Sequence, residues 1–391
     1  MADRDVDYLI VGGGVAGAAC AETLRAGDPA ASILLVGREP DAPYERPPAS
    51  KGYLRGEQGR EDALLHAATW WEDQRIELLT RVSAMKLDTD ARTVKLSSKE
   101  EVGYRAALLA TGANVRRLRV PGAELEGIHY LRALGNADAI RADAETAERV
   151  VLIGGSYIAC EVAASLTTLG KHCTLVMQEA APLSAGFGEM AGRFFEGLLR
   201  SHGVECVTAD PLASFEGSDE RVTAVVTESG RRVEADMVVM GTGAQPDVML
   251  ARAAGLELGE TGGVRCDASL ATSAPGVWAA GDVCEYDSVI HGRRLRVEHF
   301  EVARAQGRAA AEAMLGSEAP FAEVPYFWAD LADWCTLEYV GPAESWDHEE
   351  VRGSVEDGAF SIFYGSEGRV VAALSVGRPE DLDEARRLIA G

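Results

Sequence analysis

Tyr8-Leu9-Ile10-Val11-Gly12-Gly13-Gly14-Val15-Ala16-Gly17 opens the chain with an apolar strand that runs into a GxGxxG turn and then into an alanine-rich helix over 18–26. In such a turn Gly12 makes the tight bend, Gly14 lets bare backbone approach a diphosphate, and Gly17 lets helix and strand pack closely. The diphosphate would rest on the helix N-terminus, where free N–H groups and the dipole favour an anion. A second strand over 32–36 ends at Gly37-Arg38-Glu39. A carboxylate there, about 20 residues past the glycines, is placed to accept the ribose hydroxyls of an adenosine.

The pattern recurs further along the chain. Val150-Val151-Leu152-Ile153 leads into Gly154-Gly155-Ser156-Tyr157-Ile158-Ala159 and a second helical stretch carrying Glu161. Alanine at the third position is an accepted variant. Serine at the second is a departure, because its side chain is expected where a pyrophosphate should lie against backbone. On that expectation Ser156→Gly tightens binding of a second dinucleotide. The next strand, 173–177, ends at Gln178-Glu179 with no basic cluster nearby, which favours NADH over NADPH, whose extra phosphate needs a positive partner. Two such sites imply two dinucleotides and electron transfer between them.

At 391 residues the chain is long enough for two or three domains. A net charge of −24 makes nucleic acid and anionic membranes poor partners. The sequence shows no leader-like start and no long uncharged apolar run, so a cytoplasmic protein without a membrane span is expected. A homodimer is carried as an expectation. The seven cysteines, Cys20, Cys160, Cys173, Cys206, Cys266, Cys284 and Cys335, show no CxxC or CxxxxC pair, which argues against a structural metal site and a local redox disulfide.

The first glycine turn, Pro43-Tyr44-Glu45-Arg46-Pro47-Pro48-Ala49-Ser50-Lys51, Ala110-Thr111-Gly112 and Ala279-Ala280-Gly281-Asp282 together resemble the FAD-dependent pyridine nucleotide oxidoreductases with two dinucleotide-binding domains. Within them the chain is most similar to the branch of ferredoxin reductases and apoptosis-inducing factor. Arg296-Val297-Glu298-His299-Phe300 and Tyr326-Phe327-Trp328-Ala329-Asp330-Leu331 extend the likeness, with Leu331 nearer the apoptosis-inducing-factor side.

The resemblance implies an α/β fold of two Rossmann-like dinucleotide-binding domains and a small α+β C-terminal domain. The FAD domain would comprise 1–112 and 244–320, interrupted by an NAD domain over 113–243, with an interface domain over 321–391. It implies Lys51 beside the flavin N5, paired with Glu161, where an ammonium would stabilise the charge of the reduced ring. Gly12, Gly14, Gly17, Glu39, Arg46, Val82, Arg132, Asp282, Phe300 and Trp328 complete the implied FAD set. Gly154, Gly155, Ser156, Tyr157, Ile158, Glu179, Gly243 and His299 form the implied NAD set.

No metal is implied. Relatives that relay electrons through thiols carry cysteine in the segment after the second strand, and here 41–56 contains none. The expected function is therefore transfer from NADH through flavin to an electron carrier, foremost a ferredoxin. An NADH:quinone or other acceptor oxidoreductase and a slow NADH-sensing flavoprotein are the alternatives. Arg116, Arg117 and Arg119, with Arg293, Arg294 and Arg296, are candidate positive patches for an acidic carrier.

Overall fold

The computed structural model describes residues 2–391. The strand Arg4–Val11 forms the middle of a seven-stranded sheet, flanked in parallel by Ile33–Val36 and Glu101–Leu109. Ile76–Leu79 extends one side, while the other receives Val277–Ala279 in parallel and the antiparallel strands Thr93–Leu96 and Ala84–Asp88. Ile33–Val36 is buried along its whole length, as expected of a parallel strand covered on both faces. The helix Val15–Gly27 lies against Phe300–Met314, and the approach is close enough that a Cβ on Gly307 would stand 2.2 Å from the Ala16 carbonyl oxygen. Buried Arg25 ties down the C-terminal end of the first helix by donating to the carbonyls of Gln74, Arg75, Asp28 and Pro29. Those bonds satisfy a charge that would otherwise be costly to bury.

A second parallel sheet has the spatial order Glu205–Val207, His172–Val176, Arg149–Ile153, Met237–Met240, Ile128–Tyr130. A three-stranded antiparallel sheet, Leu212–Ser218, Arg221–Thr227 and Arg232–Glu234, lies between its outer strand and Met237–Met240 in the chain. The chain runs out and back between the two parallel sheets along a ribbon in which Ala113–Val115 pairs antiparallel with Ala244–Pro246. Each sheet thus presents the turns at the carboxyl ends of its central strands to the region between them, where doubly wound sheets bind ligands.

The last unit is a five-stranded antiparallel sheet, ordered Tyr326–Leu331, Cys335–Val340, Arg369–Val376, Ala359–Ser366, His348–Ser354, with the helix Glu380–Ala390 packed on it. One hydrophobic cluster joins this sheet to the second parallel sheet. At its centre Phe187, fully buried, stacks near Phe327 and meets Tyr339 at 5.2 Å, while its carbonyl accepts from the Tyr364 hydroxyl at 2.8 Å. No helix among the described residues is long and apolar enough to cross a membrane.

Candidate functional site

The two glycine turns face one continuous cavity of about 1220 Å³, larger than the usual range for a single small ligand. In the first turn, Gly12 has φ +130°, and a Cβ there would lie 2.0 Å from the Ala110 carbonyl oxygen. A Cβ on Gly17 would meet the Gly12 carbonyl oxygen, also at 2.0 Å, so this glycine serves helix–strand packing and does not line the cavity. Gly14 alone has open space beside it and faces the cavity.

Glu39 stands at the end of Ile33–Val36 and lines the cavity. Its Oε2 accepts from the Tyr44 hydroxyl at 2.6 Å and its Oε1 from Arg46 at 2.5 Å. Burial acts to raise the Glu39 carboxyl, but Arg46 and Tyr44 prevail and hold it below its ordinary range. An ionised carboxylate has about four acceptor positions, so two remain for ribose hydroxyls. Arg46 also donates to the Arg132 carbonyl at 2.7 Å, and Arg132 donates to Asp282 Oδ2 at 2.6 Å. Arg132 keeps a buried Nε without a partner. Val82, whose N–H bonds the Gly37 carbonyl at 3.0 Å, closes the wall beside Glu39.

Lys51 follows a tight turn, Pro47–Ser50, in which two prolines set the backbone. Its ammonium pairs with Glu161, which is 5% exposed on the helix Tyr157–Thr168, and lies 3.5 Å from Asp330 Oδ2 on the first strand of the last sheet. Glu161 Oε2 accepts from Ser50 Oγ at 2.5 Å, and Oε1 also accepts from the Asp330 N–H at 3.2 Å. Ser50 and Asp330 carried no role in the sequence reading. The signal available for Asp330 was its alternation with Trp328, which puts both on one face of Tyr326–Leu331.

The second turn repeats the first with one change. Gly154 has φ +106°, and a Cβ there would lie 2.5 Å from the Gly241 carbonyl oxygen, the counterpart of Ala110. Ser156 Oγ donates to that same carbonyl at 2.9 Å. The hydroxyl is therefore engaged with protein backbone, while Ser156 still lines the cavity where a pyrophosphate is expected. Tyr157, Ile158 and Gly243 line the cavity; Gly154, Gly155 and Glu179 do not. Glu179 Oε2 is buried without a partner, and a Cβ on Gly155 would lie 3.3 Å from it.

His299, at the N-terminus of Phe300–Met314, packs its ring 4.4 Å from Phe327, with Nδ1 buried and unpartnered. Burial pushes its pKa down to about 4, so it is neutral near pH 7. Phe300 and Trp328 meet edge-to-face at 6.2 Å beside it. None of the seven cysteines lines the cavity. The 293–296 arginines are not a free positive patch: Arg293 pairs with Glu344, Arg294 with Asp287 and Arg296 with Glu298.

The residues present fit two dinucleotides. The Gly14 opening and the carboxylate Glu39 with spare acceptor positions are what one adenosine diphosphate requires; at the second turn Ser156, Tyr157 and Ile158 line the cavity, and Glu179 holds the matching strand-end position outside it. Fold and cavity thus define a pyridine nucleotide oxidoreductase that works through a second nucleotide cofactor.

The comparisons with known proteins agree. A model of the pyridine nucleotide-disulphide oxidoreductases matches residues 6–307, a reductase C-terminal model matches 326–391, and the chain belongs to the pyridine nucleotide-disulphide oxidoreductase family. It is 35% identical over 391 residues to a ferredoxin–NAD(P)(+) reductase of a Sphingomonas species, covering 100% of this chain and 94% of that one. A crystal structure of a ferredoxin reductase from Rhodopseudomonas palustris superposes with a TM-score of 0.94 at 31% identity, covering 99% of this chain and 94% of that one. The reductase of a covalent putidaredoxin reductase–putidaredoxin complex gives 0.93 at 34% identity, covering 100% and 94%. The protein is an FAD-dependent oxidoreductase that uses NAD(P)H.

Proposed function

We propose that this protein is an NADH-preferring reductase of a ferredoxin-type carrier, built as an FAD domain over 1–112 and 244–320, an NAD domain over 113–243 and an interface domain over 321–391. The observation that carries the reading is the charged group Lys51–Glu161–Asp330 at a cavity that no cysteine lines. Electrons then have no thiol to pass through, and an external acceptor must collect them. The resemblance to a reductase solved in complex with putidaredoxin supports an iron–sulfur protein as that acceptor.

A bound flavin supplies the conversion between two-electron nicotinamide chemistry and one-electron carrier chemistry. The chain's own residues hold and tune it. Glu39, Arg46, Arg132 and Asp282 form a linked series of charges along the cofactor side, and Glu179 would hold the ribose of the nicotinamide dinucleotide. Lys51 keeps a positive charge fixed at the wall by Glu161, ready where negative charge develops, and needs no reorganisation to act. His299, neutral and walled by Phe327, adds no competing charge, and Tyr157, Phe300 and Trp328 give the cavity an aromatic wall. Localisation in the cytoplasm belongs to the same reading.

The reading is tested by NADH-driven reduction of cytochrome c with and without an added ferredoxin. A rate that depends on the ferredoxin supports it. An equal rate without any carrier, or with a quinone alone, points to the acceptor-oxidoreductase alternative.

A further inference from the structure

We propose that Ser156 is a positioning residue that pins the second glycine turn to the hinge between the two parallel sheets, and so strengthens binding of the nicotinamide dinucleotide. The proposal rests on the NADH reading above and goes beyond it in assigning this hydroxyl a role. Three observations meet at the Gly241 carbonyl. It lies directly against Gly154, where only glycine fits. It accepts from Ser156 Oγ at 2.9 Å. It belongs to a residue whose own N–H bonds the Ile153 carbonyl at 2.8 Å, closing the link between the two strand ends.

From Gly241 the chain enters the hinge at once. Thr242 Oγ1 donates to the Arg116 carbonyl at 2.7 Å, and the Arg116 N–H bonds the Gly243 carbonyl at 2.9 Å. Ser156 and 241–243 both line the cavity, side by side on the wall that a dinucleotide would lie against. In the first turn the equivalent position is Gly14, which places nothing against Ala110. The first site therefore holds its ligand with an unpinned turn and the second has a pin of its own. The hydroxyl does not cap its helix, so its removal leaves helix formation intact. A fixed turn loses less freedom when ligand binds, which is how preorganisation raises affinity.

The test is calorimetric titration of NAD+ into the oxidised holoenzyme, with stopped-flow reduction by NADH alongside, for wild type, Ser156→Ala, Ser156→Gly and Ser156→Thr. Loss of one hydrogen bond should weaken NAD+ binding about three- to tenfold in the alanine and glycine variants. Flavin content and the limiting rate of reduction should stay unchanged, and threonine, which keeps the hydroxyl, should restore affinity. Hydrogen exchange over 241–243 should quicken in the alanine variant. Alanine or glycine variants that bind NAD+ as tightly as wild type, or tighter, overturn the pin while leaving the NADH reading intact. A wild-type protein that binds no NAD+ overturns both.

Discussion

At the scale of single residues, the site turns on charges held by neighbours. Glu161 takes three donors, from Ser50, Lys51 and the Asp330 backbone. Glu161→Gln keeps its shape but removes the charge that fixes Lys51, and should slow flavin reduction by NADH about tenfold or more. A wild-type rate in stopped flow would reduce the pair to a structural role. Lys51→Met leaves a buried carboxylate with Asp330 as its neighbour and should also cost about 3 kcal/mol of stability in denaturant melts.

His299 gives a pH signature. Its folded pKa is lowered to about 4, and His291 shares that value, both by burial. The unfolded chain therefore binds protons that the folded chain refuses. Stability is full above pH ~6.5 and falls as pH drops towards 4, by about 1.4 kcal/mol per unit for each histidine. His299→Phe should flatten that slope, and an unchanged slope would mean the ring is not held neutral. Spacing made the glycines and Glu39 legible in the sequence, and the family resemblance pointed to Lys51. It could not reveal where the Ser156 hydroxyl points, because that depends on a carbonyl 85 positions away. Nor could it reveal Asp330 as a partner of Lys51, since three segments distant in sequence meet there.

At the scale of elements, the strand–turn–helix units were readable because their signals are local, an apolar run followed by glycines. Gly14 and Gly17 separate ligand binding from folding within one such unit. Gly17→Val drives a side chain into the Gly12 carbonyl and should yield little folded protein. Gly14→Ala has room for its methyl in the fold but fills cavity space, so it should fold, with a melting temperature near wild type as apoprotein, and retain less FAD. Equal FAD content in Gly14→Ala would contradict the role given to that opening. Glu101–Leu109 extends beyond its apolar second half, because its first half also pairs antiparallel with Thr93–Leu96. His348–Ser354 is an edge strand with polar residues on both faces, and so lacks the alternation that marks a strand in a sequence.

At the scale of the whole molecule, the family resemblance carried the interrupted order of two parallel sheets, while the shared cluster around Phe187 came only from the structure. That cluster fastens the last sheet to the second parallel sheet and so brings Trp328 to the cavity and Asp330 to Lys51. A net charge of −24, with the 293–296 arginines already paired, opposes approach of an acidic carrier. Raising ionic strength from about 10 to 100 mM should therefore increase, or leave level, the second-order rate with an acidic ferredoxin. A steep fall would instead point to Arg116, Arg117 and Arg119, which form no ion pair among the described residues, as an attractive patch. If electrons cross from nicotinamide to an outside carrier through flavin alone, anaerobic titration with NADH, followed by flavin absorbance near ~450 nm, reads out the full electron capacity of the protein. One equivalent of NADH per flavin should bleach the protein completely; a requirement for two equivalents would place a second electron acceptor, a redox disulfide, in the chain and rule out transfer through flavin alone.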